Sequence, residues 1–98
     1  MNIEKKIKDD KLLVKIEGRL DINSSAELEE ELKKDIPGTK ELIFNFKDLI
    51  YISSSGLRVI LSTQKIMDKQ GSMVIENVND LVMEIFEATG FSKILTIK

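Results

Sequence analysis

Three consecutive hydroxyls and a glycine, Ser53-Ser54-Ser55-Gly56, stand between the apolar run Leu49-Ile50-Tyr51-Ile52 and an amphipathic stretch that begins Leu57-Arg58. A serine at a helix start offers an oxygen to an amide of the first turn, and the same orphan amides favour an anion. A covalent phosphate there is compatible with the fold, so the run reads as a modifiable switch. On spacing alone the hydroxyls serve equally as caps and turn formers. Arg58 follows Ser54 by four residues, one helical turn, from where a guanidinium can reach a phosphate. The plainer reading pairs Arg58 with an acid such as Asp48. Asp21, in the upstream Gly18-Arg19-Leu20-Asp21, reads by itself as a turn or capping residue.

Other chemistries are narrowed by what is missing. The 98 residues contain no histidine and no cysteine. That removes a Ser-His-Asp relay, an imidazole or thiolate metal site and a disulfide framework. A formal net charge of -2 supplies no basic field for a phosphate backbone, so nucleic acid is not an expected partner. No apolar run approaches the roughly 20 residues of a membrane span, and the first residues lack an apolar targeting core. The expectation is a cytoplasmic protein without cofactor, metal or membrane contact.

The elements that position these residues follow from periodicity. Leu12, Val14 and Ile16 alternate with Leu13, Lys15 and Glu17 as in a strand, and a weaker alternation through Ile3 and Ile7 precedes a turn at Asp9-Asp10, which predicts an opening hairpin. Ser24 and Glu27 have capping-box spacing before a helix carrying Leu28, Leu32 and Ile36, with acids early and Lys33 and Lys34 late, stopped by Pro37-Gly38. Leu42-Ile43-Phe44-Asn45-Phe46 predicts a central strand covered on both faces. A helix with Leu57, Ile60, Leu61, Gln64 and Met67 on one side runs to about Lys69, closed by Gln70-Gly71. Met73-Val74-Ile75 adds a strand, and a third helix from Asn79 to Ala88 carries Leu81, Val82, Ile85 and Phe86 up to a C-cap at Gly90. Ile94-Leu95-Thr96-Ile97 predicts a last strand. Met67, Met73 and Met83 read as core or gap-filling residues rather than a cofactor box. The whole is one α/β domain over residues 1–98: a mixed, mostly parallel sheet with an N-terminal hairpin and about three helices.

With these elements in place the chain resembles the STAS-domain anti-sigma factor antagonists of bacteria. The resemblance rests on Gly18-Arg19-Leu20-Asp21 after the second strand, on Tyr51-Ile52-Ser53-Ser54-Ser55-Gly56-Leu57-Arg58-Val59-Ile60-Leu61 before the second long helix, and on the element order. It implies a STAS-like fold and a partner-switching role. The unmodified antagonist binds an anti-sigma factor that is also a serine protein kinase, phosphorylation reverses this, and a serine phosphatase restores the antagonist. It further implies Ser54 as phosphoacceptor, with Asp21 near it in space as part of the docking or phosphorylation site; Ser53, Ser55 and Gly56 shape the loop, and Arg58 joins the partner-binding or loop residues by its spacing from Ser54. Ser53 stands where the family's tetrad begins with an acid. Many antagonists also carry a final helix beyond the last strand that this sequence lacks, so a less covered sheet face or edge is expected, and self-association is a property to test.

Two other classes compete. A small enzyme could use Ser54 as nucleophile with Lys65 as base, although lysine needs burial to act near neutrality. A constitutive scaffold or nucleotide-binding module is the other, without a Gly-x-x-x-x-Gly-Lys loop in the sequence.

Overall fold

The computed structural model describes residues 2–98. β1 (Asn2–Lys8) and β2 (Lys11–Leu20) form the hairpin, pairing antiparallel from Asn2 opposite Glu17 to Lys8 opposite Lys11. The turn is Asp9-Asp10, with Asp9 in the left-handed region at φ 55°. α1 (Ile22–Asp35) leads to β3 (Glu41–Asn45), which lies parallel to β2. β4 (Leu49–Ile52) precedes α2 (Ser54–Gln70), and β5 (Ser72–Glu76) lies parallel to β3. α3 (Asp80–Thr89) and a short 3-10 turn, Phe91–Lys93, complete the elements. The sheet order is β1-β2-β3-β5, with β4 also paired to β2. The α/β class, mixed sheet, opening hairpin and three helices are those read from the sequence.

Alternation decides which face of the sheet is packed. Leu12, Val14 and Ile16 of β2, Leu42 and Phe44 of β3, and Met73 and Ile75 of β5 are buried. They share the core with Leu28 and Leu32 of α1, Val59, Ile60 and Met67 of α2, and Val82 and Phe86 of α3. Phe46 lies against Phe44 and Phe86, with ring centroids 5.6 and 6.4 Å away. Removing a ring such as Phe86 from this cluster costs about 3–5 kcal/mol. On the packed face Lys5 of β1 reaches across to α1, 2.7 Å from Asp35 and 3.4 Å from Glu31, and these carboxylates, the Asp35 hydrogen bond foremost, hold its pKa above the ordinary lysine value.

The structure departs from the sequence expectations in five places. The strand at 42–46 is covered on one face only: Ile43 is half-buried, its register partner Val74 likewise, and Leu13, opposite Ile43 on the other side, is 38% exposed. The reason is that α1 and α2 pack on the same side, while α3 packs against β4 and the turn that follows it. Two strands lie between α1 and α2, since the apolar run Leu49–Ile52 before the serines is a strand in addition to Glu41–Asn45. Lys15 faces Asn45 and Gly18 faces Leu49, so the β3–β4 segment spends one residue more than β2 over this interval, and the step from Gly18–Leu49 to Arg19–Tyr51 skips Ile50 as a second extra residue. The expected last strand reduces to a single parallel bridge, Ile75 with Ile97, closed by Ile75 N–H to the Thr96 carbonyl and Lys98 N–H to the Ile75 carbonyl, both 2.9 Å. Leu81, placed on the apolar side of α3, is 51% exposed. Finally, α1 starts earlier than the Ser24/Glu27 spacing predicts: Asp21 is the N-cap, Ser24 its capping-box partner, and no acid lies in the first turn.

The glycine at the end of α2 has a steric duty. A Cβ on Gly71 would lie 1.9 Å from the Lys40 carbonyl oxygen, which accepts from the Ser72 amide at 2.9 Å. Only a hydrogen at that position lets the helix return to the sheet. Gly90 ends α3 in the left-handed conformation, φ 81°, as its C-cap position predicts.

Candidate functional site

Two parallel strand ends build the site. Beyond a register shift after Gly18, β2 and β4 pair Arg19 with Tyr51 and Leu20 with Ile52, and the Ser53 amide donates to the Leu20 carbonyl at 2.8 Å as a further rung. Ser53 therefore keeps an extended backbone, φ -87° and ψ 175°, and becomes the N-cap of α2. Its Oγ accepts from the Gly56 amide at 3.3 Å, and its carbonyl accepts the first helical bond from Leu57 at 2.9 Å. Ser54 is thereby the first helical residue and not the cap. The Ser54 and Ser55 amides have no hydrogen-bond partner among the described residues, as expected for the first turn.

Ser54 is exposed, Ser55 half-buried and Gly56 buried. Gly56 lies where α2 meets the strand ends. A Cβ there would be 2.8 Å from Ile52 Cγ1, 3.0 Å from Leu20 Cβ and 3.3 Å from Ser25 Oγ. The glycine's lack of a side chain is what brings the first turn of α2 down onto Leu20 and Ile52. Ser25 is buried, and its hydroxyl has no partner among the described residues.

Asp21 terminates β2 as Ser53 terminates β4. Its Oδ1 accepts from the Ser24 amide at 2.9 Å, its own amide donates to Ser24 Oγ at 2.8 Å, and Ser24 Oγ donates to the Arg19 carbonyl at 2.6 Å. The bond from the Ser24 amide, followed by that from its hydroxyl, holds the Asp21 carboxyl below its ordinary pKa. Asp21 is thus an ionised, exposed N-cap at the end of the strand that pairs with the one leading to Ser53. Ser24 and Ser25 lie within the first turn of α1, behind the Asp21 cap.

Arg58 is exposed on α2, four residues after Ser54, which is likewise exposed, so both lie on one side of the helix. Its expected partner Asp48 is taken by Lys15, at 3.1 Å, a contact that raises the lysine pKa. Arg58 forms no ion pair among the described residues. Lys65 is exposed on the same helix. Eleven residues at about 1.5 Å each set it roughly 16 Å along the axis from Ser54, too far to act as its base.

Three features were not singled out from sequence. Arg19 lays its guanidinium over the Tyr51 ring, 4.6 Å from the centroid. Asn79 caps α3 through Oδ1, 2.8 Å from the Val82 amide, and donates Nδ2 to the Leu49 carbonyl at 2.7 Å, tying α3 to β4. A groove of about 370 Å³ lies between α1 and α2, lined by Leu32, Ile36, Val59, Thr63, Ile66 and Gln70, and takes in none of the residues read as functional. The Arg19–Tyr51 contact had a signal in the sequence, namely two residues inside the motif with no assigned task. The other two depend on tertiary approach.

No helix among the described residues is long and apolar enough to cross a membrane. The STAS domain family model matches residues 2–98. The anti-sigma-B factor antagonist of Bacillus subtilis (strain 168) is 32% identical over 98 residues, an alignment covering 99% of this chain and 90% of that protein. Two solved structures share the fold. An anti-sigma factor antagonist from Mycobacterium paratuberculosis superposes with a TM-score of 0.88 at 15% identity, covering 98% of this chain and 83% of that one. The Bacillus cell fate determinant SpoIIAA in its phosphorylated form gives 0.78 at 16% identity, covering 99% and 91%. Matched along nearly its whole length by the family model and by this relative, the chain belongs to the STAS-domain family of anti-sigma factor antagonists.

Proposed function

We propose that the protein is a phosphorylation-switched anti-sigma factor antagonist of the cytoplasm. The unphosphorylated form binds an anti-sigma factor that is also a serine protein kinase and so releases the sigma factor. Phosphorylation at Ser54 ends that binding, and a serine phosphatase resets it. The observation that carries this reading is the exposed Ser54 hydroxyl at the first position of α2, beside amides without partners, in a chain akin to an anti-sigma-B factor antagonist. SpoIIAA, a protein of the same fold, is known in a phosphorylated form, which supports a modification of this kind.

The physics of the switch is local. A phosphoserine adds about 1.5–2 negative charges and three acceptor oxygens. At a helix N-terminus an anion is favoured by about 0.3–1 kcal/mol, so the fold keeps its arrangement. A docked partner, by contrast, would have to desolvate the dianion and accommodate its bulk, which costs several kcal/mol when the charge is unpaired. Each 1.4 kcal/mol is about tenfold in affinity, so the complex empties without any internal rearrangement.

The test is incubation with the host's candidate serine kinases and ATP-Mg, read by mass spectrometry, alongside Ser54→Ala and Ser54→Asp. Phosphate on Ser54, lost in Ser54→Ala, together with kinase binding abolished by Ser54→Asp, is the expected result. Phosphate on another residue, or binding indifferent to Ser54→Asp, rejects the assignment.

A further inference from the structure

The chain contains two arginines, Arg19 and Arg58, against thirteen lysines. Five of the lysines, Lys5, Lys11, Lys15, Lys33 and Lys34, are matched to a carboxylate; the other eight and both arginines form no ion pair among the described residues, and what sets Arg19 apart is the aromatic ring beneath its guanidinium. Both arginines flank the serine loop. Arg58 is on α2 below Ser54, and Arg19 is on β2, in register with Tyr51 and two residues before Asp21. Arg19 is exposed, and its guanidinium lies over a half-buried tyrosine ring, 4.6 Å from the centroid. A ring face holds a guanidinium while leaving the N–H groups on its edge free to donate. That edge is a planar fork matched to a carboxylate, and no carboxylate among the described residues pairs with it.

We propose that Arg19, oriented by Tyr51, is a second docking contact for the partner that engages the Ser54 loop, and that it receives a carboxylate from an acidic patch on that partner. The inference rests on the proposed function and adds to it the chemistry of the partner's surface. Two features commit the occupant to an acidic protein surface. The cation lies over a ring face with no carboxylate partner among the described residues, in a chain whose net charge is -2, and it is continuous with the loop through the β2–β4 rungs that run from Arg19–Tyr51 to Ser53. Tyr51 is a positioning residue, since it orders the guanidinium before contact and so reduces the ordering cost of binding.

The experiment measures the affinity of the full-length protein for the purified host kinase that phosphorylates Ser54, at low and high salt, with steady-state phosphorylation kinetics. Arg19→Gln is expected to weaken binding about tenfold, the scale of one lost charge-assisted bidentate contact. The loss should appear in KM with kcat unchanged, and should shrink at high salt. Arg19→Lys keeps the charge without the fork and should fall between wild type and Arg19→Gln. Tyr51→Phe keeps the ring and should bind as wild type, while Tyr51→Leu weakens binding although Arg19 is present. Thermal melts of each variant separate these effects from unfolding. Wild-type affinity in Arg19→Gln, or a loss in Arg19→Gln fully accounted for by unfolding, overturns this inference and leaves the Ser54 switch standing. Wild-type protein that no host kinase binds or phosphorylates overturns the proposed function, and this inference with it.

Discussion

Replacing Gly56 by alanine tests whether the loop glycine exists to seat α2 on the strand ends. A new Cβ would stand 2.8 Å from Ile52 Cγ1 and 3.0 Å from Leu20 Cβ. Carbon atoms favour separations of about 3.5–4.0 Å, so the first of these contacts must open by roughly 0.7 Å or more. Ile52 is 2% exposed and Leu20 fully buried, so neither can retreat into solvent. Overpacking of this kind costs about 1–3 kcal/mol. Against it stands the helical preference of alanine over glycine, at most about 1 kcal/mol. The difference predicts a net loss of about 0–2 kcal/mol, centred near 1 kcal/mol, which lowers Tm by roughly 4–8 °C for a chain of this size. Urea and thermal unfolding followed by circular dichroism give both quantities. Combining the change with Ile52→Ala, which removes the nearest clashing atom, should make Gly56→Ala less costly than in the wild-type background. An alanine variant at least as stable as wild type, or costs that simply add in the double variant, would refute the account of how α2 is seated.

Three further outcomes follow from the same geometry. Ser53→Ala should cost about 0.5–1 kcal/mol in urea unfolding, the lower part of the N-cap range because the bond to the Gly56 amide is long at 3.3 Å, while leaving phosphorylation at Ser54 intact. Asp21 has a folded pKa below its ordinary value, so its ionised cap contributes stability at neutral pH that is lost as the pH falls through that lowered value; Asp21→Asn lacks this contribution, and the gap between the two urea midpoints should close with acidification. A gap unchanged down to strongly acid pH would count against the cap. In Arg58→Ala the pKa of phosphorylated Ser54, followed by phosphorus NMR, should rise because a cation one turn away is lost, and an unchanged value would show that Arg58 does not reach the phosphate.

Local pattern made the element types legible. Alternation at Leu12, Val14 and Ile16, the recurrence of Leu28 and Leu32, and the breakers Pro37 and Gly90 depend on the chain's own periods of 2 and 3.6, and all of these elements are present in the structure. The short C-terminal apolar run Ile94–Ile97 forms one bridge instead of a strand, because apolar content cannot say how many rungs a segment will form. The second face of β3 stays open for a similar reason, since Ile43 gives no sign of which face the helices will occupy.

The sequence by itself determined an α/β chain with a serine-glycine loop leading into its second helix, a composition without histidine or cysteine, and the family resemblance. Tertiary structure alone decided which residue takes which part in the loop. Among three adjacent serines the cap is Ser53, and upstream it is Asp21 rather than Ser24, for one reason in both cases. Each cap is the residue following the last residue of a paired strand, still extended, at φ -87° and -100°, and the helix starts directly after it. Where a strand's pairing stops depends on its neighbour, β4 for β2 and β2 for β4, and no window of local sequence contains that neighbour. The same register that makes Ser53 the cap releases the Ser54 hydroxyl to solvent and places Arg19 on Tyr51.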